Sequence, residues 1–251
     1  MANYDFPTEV ISLPSQGLCY PESNPLSSGQ IEIKYMTAKE EEILASQNLI
    51  KKGIVLDKLF ESIIVDSKIN VDDILIGDKN AIMLATRILG YGPEYNIELT
   101  LDSDEKESVV IDLSKVQVKE IDTTLLNREN RYKFTTTNGN VLEYRLLTHG
   151  DEKKIDADIK ALQRLNKGGT GSELTTRYRY MIVSVNGKTD TSSITYFINN
   201  QFLTRDTKAF REHLKKIQPD IKMQFEYEDP QTGEMEVRSI PMGVGFFWPS
   251  E

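Results

Sequence analysis

Two histidines, one cysteine, a glycine-rich stretch and an acidic turn are where side-chain chemistry could concentrate in this chain of 251 residues. His149 and His213 fall at points of the sequence pattern that do not correspond, and no carboxylate spacing pairs with either to make a proton-transfer site. His149 stands beside Gly150 at an expected helix start, the setting of a solvated turn residue. Lys167-Gly168-Gly169-Thr170-Gly171-Ser172 precedes an expected helix and could cradle a phosphate on backbone N–H groups. A P-loop needs its lysine after the last glycine, so the stretch reads as a flexible helix connector. Asp102-Ser103-Asp104-Glu105 could offer oxygens to calcium but lacks the EF-hand ligand set, and it reads as an exposed hairpin tip. Cys19, being alone, makes neither an internal disulfide nor a cysteine zinc cluster. These residues assign no catalytic, cofactor-binding or metal-binding position.

Large apolar side chains at the two ends of the chain are a different kind of signal. Phe246-Phe247-Trp248-Pro249 closes the sequence, and Phe6, Leu13 and Tyr20 punctuate a proline-interrupted opening. Aromatic anchors dominate the energetics of protein interfaces. Phe246, Phe247, Trp248, Phe6, Leu13 and Tyr20 are therefore the candidate partner-binding residues. Two outcomes stay open for each end: the tail folds onto its own hairpin or plugs into a partner, and the opening wraps its own domain or docks on a neighbouring subunit.

The formal net charge of −9 argues against nucleic acid and against anionic membrane surfaces, both of which need a basic face. With 39% hydrophobic and 27% charged residues the chain can build a core. No apolar run is long enough to span a bilayer. Met1 to Pro7 lacks the basic and apolar regions of a signal peptide, so a cytosolic protein is expected.

The elements that must position all this come in a definite order. Residues 1–29 read as an extended arm. Gln30 to Met36 alternates as a half-buried strand, and Thr37-Ala38-Lys39-Glu40 is a capping box opening a helix. Leu56, Leu59, Phe60 and Ile63 carry helical spacing. The organising stretch is Gly77 to Gly90, one buried helix with Asp78 expected as its N-cap and Gly90 as its terminator. A hairpin of Ile97–Leu101 with Ser108–Leu113 follows. A second pass starts at Tyr132, with Asn138-Gly139 as a hairpin turn, a return strand to Leu147, a helix from Thr148, and one further helix expected from Leu174 through Val185. Ile194–Phe202 reads as helical, Thr204-Arg205-Asp206 as the cap of another helix that Pro219 stops, and Ile221–Tyr227 with Glu234–Ile240 as a closing hairpin.

The two passes match in order: strand, threonine with an acidic helix start, broken helices, then a helix running into a hairpin. The expected fold is α+β, with two similar helix-plus-hairpin units from an internal duplication and an extended N-terminal arm. The units are 30–120 and 121–251.

Leu13-Pro14-Ser15-Gln16-Gly17-Leu18-Cys19-Tyr20, Tyr35 to Leu44, Asn48-Leu49-Ile50-Lys51-Lys52-Gly53, Arg87-Ile88-Leu89-Gly90-Tyr91-Gly92 and the closing Ile240-Pro241 to Pro249 occur in one order. Together they resemble the baseplate hub assembly proteins of T-even-like bacteriophages, over most of the chain. The resemblance implies a non-enzymatic protein of contractile-tail assembly, working with other baseplate hub proteins or the tape-measure protein. It also implies a place in the host cytoplasm during assembly, and in the baseplate if the protein stays in the virion. A tail-assembly chaperone that leaves before maturity is the alternative. Some tail-associated relatives carry Cys-x-x-Cys pairs in the two hairpins; here those positions hold no cysteine, so no zinc or other cofactor is expected.

Overall fold

The proline-interrupted opening of the chain folds back on itself. The structure, a computed structural model, describes residues 7–100, 106–165, 173–228 and 233–247. Within it Thr8–Ser12 (β1) pairs antiparallel with Gln30–Lys34 (β2), from Thr8 opposite Lys34 to Ser12 opposite Gln30. Leu13, Cys19, Tyr20 and Leu26 from the connecting loop are buried. The expected extended arm is, over its described part, a hairpin strand and a loop packed on the chain's own core.

Thr37 caps Ala38–Ala45 (α1) in a complete capping box with Glu40. Gln47–Lys52 (α2) and Val55–Ile63 (α3) follow. The chain then returns to β2, where Val65 donates its N–H to the Glu32 carbonyl and Ile64 bridges Ile33. Ile76–Tyr91 (α4) begins two residues before Asp78, so Asp78 lies inside the first turn and does not cap it. Gly90 lies within the helix as well. Gly92 ends it, with φ +82°, a conformation that favours a residue without Cβ. Glu94–Thr100 (β3) and Lys106–Asp112 (β4) form the first terminal hairpin.

The second pass also opens on a hairpin. Tyr132–Thr135 (β5) and Val141–Tyr144 (β6) form the hairpin expected at Asn138-Gly139. His149–Leu165 (α5) opens on Thr148 and Asp151, whose bonds make a second capping box: Thr148 N–H donates to Asp151 Oδ2 at 3.0 Å and Asp151 N–H to Thr148 Oγ1 at 3.3 Å. Glu173–Met181 (α6) ends earlier than its spacing suggests. Ile182–Val185 (β7) leaves the helix and pairs with β6, giving the order β5-β6-β7. Thr191–Asn200 (α7) and Thr204–Ile217 (α8) lead to Gln224–Glu228 (β8) and Met235–Ser239 (β9), the second terminal hairpin. Leu203, and not Thr204, occupies the N-cap of α8. The fold is thus α+β, helices mixed with small antiparallel sheets.

One apolar core draws on both passes: Ile33, Leu59 and Phe60 from the first meet Tyr144, Phe197 and Phe210 from the second. The seam between them is polar at the backbone. Ile76 donates to the Leu147 carbonyl, and His149 to that of Ile74, so the starts of α4 and α5 are zipped together. At Gly77 a Cβ would stand 1.9 Å from the Pro219 carbonyl oxygen. A smaller core lies between the terminal hairpins, built from Tyr95, Ile111, Leu113, Ile221, Ile240 and Phe246. Among the described residues no helix is long and apolar enough to cross a membrane.

Candidate functional site

His149 is not solvated. Its position at the start of α5 places the ring against α3, where Nε2 meets Asp57 Oδ1 at 2.5 Å and the ring edge stacks on Phe60. One turn on, Lys153 shares the His149 face of α5 and reaches Asp57 Oδ2 at 3.0 Å and Asp72 Oδ1 at 2.7 Å. Burial lowers the Lys153 ammonium, but its bonds to Asp72 and Asp57 outweigh that and raise it above its ordinary value. Asp57, Asp72 and His149 bring three potential metal-ligand atoms within 4.8 Å of one another. The lysine already supplies the cation that the two carboxylates need. The adjoining cleft is about 180 Å³, below the roughly 300 Å³ at which small-molecule pockets begin. What this cluster does physically is tie α3 of the first pass to α5 of the second.

His213 belongs to another setting. It lies on α8, with Nε2 at 2.6 Å from Tyr144 Oη. Burial, with Lys216 nearby, lowers the imidazole below its ordinary value, and burial raises the Tyr144 hydroxyl. Both shifts favour the neutral forms of the pair, which share one hydrogen bond. Cys19 faces Tyr132, and burial pushes its thiol up to about 11, which leaves it an unreactive core residue.

Of the six residues expected to bind a partner, Leu13, Tyr20, Phe246 and Phe247 are buried in the chain's own cores. Phe246 packs on Tyr95 at 5.2 Å between ring centroids, and Phe247 joins the main core. Tyr20 donates to Asp78 Oδ2 at 2.6 Å and accepts from Leu75 N–H at 2.9 Å. Of the two outcomes left open for each end, packing against the chain itself is the one seen at these four positions. Phe6 and Trp248 lie outside the described residues, as do 102–105 and 167–172 with their calcium and phosphate readings.

The surface feature that the sequence reading missed is between the terminal hairpins. β4 and β8 flank a groove of about 670 Å³, with Val110 and Asp112 on one side and Gln224 and Glu226 on the other. Its base closes where Val118 bridges Ile221 and Lys222 N–H donates to the Gln117 carbonyl. At the far end Tyr227 donates to Glu107 across the gap. Val110 is 62% exposed, Met235 61% and Val237 64%. β9 therefore presents its apolar residues to solvent on one face and half-buried Glu236 and Arg238, paired at 2.6 Å, on the other. One signal was available: Val109-Val110-Ile111 is apolar on both faces of a strand, which a hairpin with one wet face does not require.

No family model, curated protein or solved structure matches this chain.

Proposed function

We propose that this protein is a non-enzymatic assembly protein of a contractile phage tail, which helps to build the baseplate hub through protein–protein contacts. The ordered motifs resembling T-even-like hub assembly proteins support the setting. The observation that carries the contact role is the terminal hairpin pair, which presents Val110, Met235 and Val237 to solvent beside an open groove. Exposed apolar side chains grouped around a concavity mark interaction surfaces. The site of contact is thus placed on the outer faces of β4 and β9, since Phe246 and Phe247 are buried in the chain's own cores.

An internal duplication belongs to the same reading. Each pass has a hairpin, a threonine capping box, a return to the second hairpin strand, and a helix whose third residue is a buried aspartate bonded to the hairpin loop. Superposition of β1–β4 with their helices on β5–β9 with theirs tests it; equivalent positions for Asp78 and Asp206 are the expected result.

The function is tested by affinity purification of the tagged full chain from phage-infected cells, followed by mass spectrometry. Recovery of hub or tape-measure proteins is expected; their absence overturns the proposal. Proteomics of purified virions then separates a resident baseplate component from a chaperone that leaves.

A further inference from the structure

We propose that this chain forms a two-fold dimer in which β9 pairs antiparallel with β9 of a second copy, joining the two closing hairpins into one four-stranded sheet. This goes beyond the assembly reading and does not rest on it.

In an antiparallel pair, residues alternate between exchanging hydrogen bonds with the neighbouring strand and pointing those groups away. Ile240 N–H bonds to the Met223 carbonyl, and the register then makes 225/238 and 227/236 bonded pairs as well. The N–H and C=O groups of Met235, Val237 and Ser239 are thereby turned away from β8, along the outer edge of β9. Among the described residues β8 and β9 form a two-stranded sheet, so no strand lies beside that edge. No residue of β9 is fully buried, and Met235 and Val237 are more than half exposed. The strand holds no proline, and its register with β8 runs without a bulge. A straight, bare edge of this kind is a template for another strand.

Charge selects a second copy as that strand. Met235-Glu236-Val237-Arg238-Ser239 is complementary to itself when read in the opposite direction. With the two-fold axis at Val237, Glu236 stands opposite Arg238 of the second copy, and Arg238 opposite its Glu236. Glu236 and Arg238 already pair along the strand at 2.6 Å, so the dimer would close a ring of four alternating charges. The same register sets the outward backbone groups of Val237 against those of its counterpart, and Met235 against Ser239. A one-residue slip would oppose them to groups committed to β8. A two-residue slip would place Glu236 against Glu236 or Arg238 against Arg238, and like charges directly opposite are destabilising. One antiparallel register thus satisfies backbone and charge together. On the solvent face it brings the two valines into a β-branched cross-strand pair. The contact is isologous and closes at two copies.

Sedimentation equilibrium of the full chain tests this up to about 1 mM. Reversible association to twice the 28.6 kDa chain mass is expected. Val237→Pro removes the outward N–H at the axis from both copies and spares the pairing with β8, so the dissociation constant should rise at least about tenfold. Arg238→Glu sets carboxylate against carboxylate, and Glu236→Arg sets guanidinium against guanidinium. Each variant alone should also dimerise at least about tenfold more weakly. Mixed in equal amounts, the two should regain wild-type affinity as a heterodimer, a recovery that mere loss of folding in either would not give. That mixture decides the matter should the proline variant unfold. A chain that stays monomeric overturns the proposal. So does a dimer that folded Val237→Pro leaves unchanged, or a mixture no tighter than either charge variant alone. Purification from infected cells judges the assembly reading separately, whatever the chain's own oligomeric state.

Discussion

α4 and α8 start alike and are held differently. Each has an aspartate at its third residue, and each aspartate accepts both the N–H and the hydroxyl of a residue in the preceding hairpin loop. Asp78 accepts from Ser15 N and Oγ at 2.9 and 2.7 Å and from Tyr20 at 2.6 Å, using both oxygens. Asp206 accepts from Thr137 N and Oγ1, both at 2.8 Å, on Oδ1 alone, and its Oδ2 is buried without a partner. The residue before each aspartate differs as sharply. Gly77 is pressed on Pro219, whereas Arg205 is exposed and reaches Asn138 at 2.6 Å. Both aspartates are buried, but Ser15 and Tyr20 are buried with Asp78 whereas Thr137 and Arg205 are exposed, so the cost of removing each joint should follow the water access of its partners.

The most damaging way to break the comparison is Gly77→Ala. With backbone 1.9 Å from the new Cβ, one chain must move, and a loss of about 3 kcal/mol is expected. Urea unfolding measures it, and Arg205→Ala, at the equivalent place, should stay within about 0.5 kcal/mol. Next comes the aspartate pair. Asp78→Ala strands buried donors on Ser15 and Tyr20 and should cost about 3 kcal/mol, whereas Asp206→Ala should cost about 1 kcal/mol because water can reach exposed Thr137. Equal losses in denaturant unfolding would remove the distinction between joints with buried and with exposed partners.

The capping boxes allow a finer test. Thr37→Ala and Thr148→Ala should each cost about 1 kcal/mol by the same measurement, which makes this the level at which the passes agree.

The smallest expected signal is in pH dependence. Burial raises the Asp78 carboxyl above its ordinary value despite the bonds from Tyr20 and Ser15, so the folded chain holds that proton more tightly than the unfolded chain. Its contribution is fully present below the ordinary carboxylate range and is lost as pH rises through the raised value. Burial would also raise Asp151, but hydrogen bonds from Arg145 and Thr148 outweigh it and hold that carboxyl below its ordinary value. The Asp151 contribution is present above the ordinary range and is lost as pH falls through the lowered value. The stability difference between wild type and Asp78→Asn should therefore shrink as pH rises, and that for Asp151→Asn should grow. Slopes of the same sign would contradict the assignment.

Local rules carried the sequence reading as far as local forces reach. The Thr37–Glu40 box and the Asn138-Gly139 hairpin depend on residues close in sequence and formed where expected, and the two terminal hairpins formed with their first strands shifted by about three residues. Asp78 read as a cap because a helix start with an aspartate looks the same whether water or Ser15, far back in the chain, provides its partner. His149 read as solvated for the same reason, since Asp57 lies on another helix. Met181, Ile182 and Val185 fit helical spacing, so only pairing with β6 distinguishes strand β7 from a longer helix. Phe246 and Phe247 are large and apolar in either location, and composition does not say which side of a surface they are on.

The zipped starts of α4 and α5 bear on how the chain is made. A ribosome that has released only the first hundred residues has synthesised all of α4 but none of the Leu147 carbonyl that Ile76 needs, nor the Pro219 turn against which Gly77 rests. The leading end of that helix must wait, with the Ile76 donor in water, until the chain has emerged past residue 147, and its Gly77 contact waits until residue 219. Birth order and assembly order therefore run in opposite directions at this seam, and a nascent chain stalled before residue 147 should be open to proteases around residue 76.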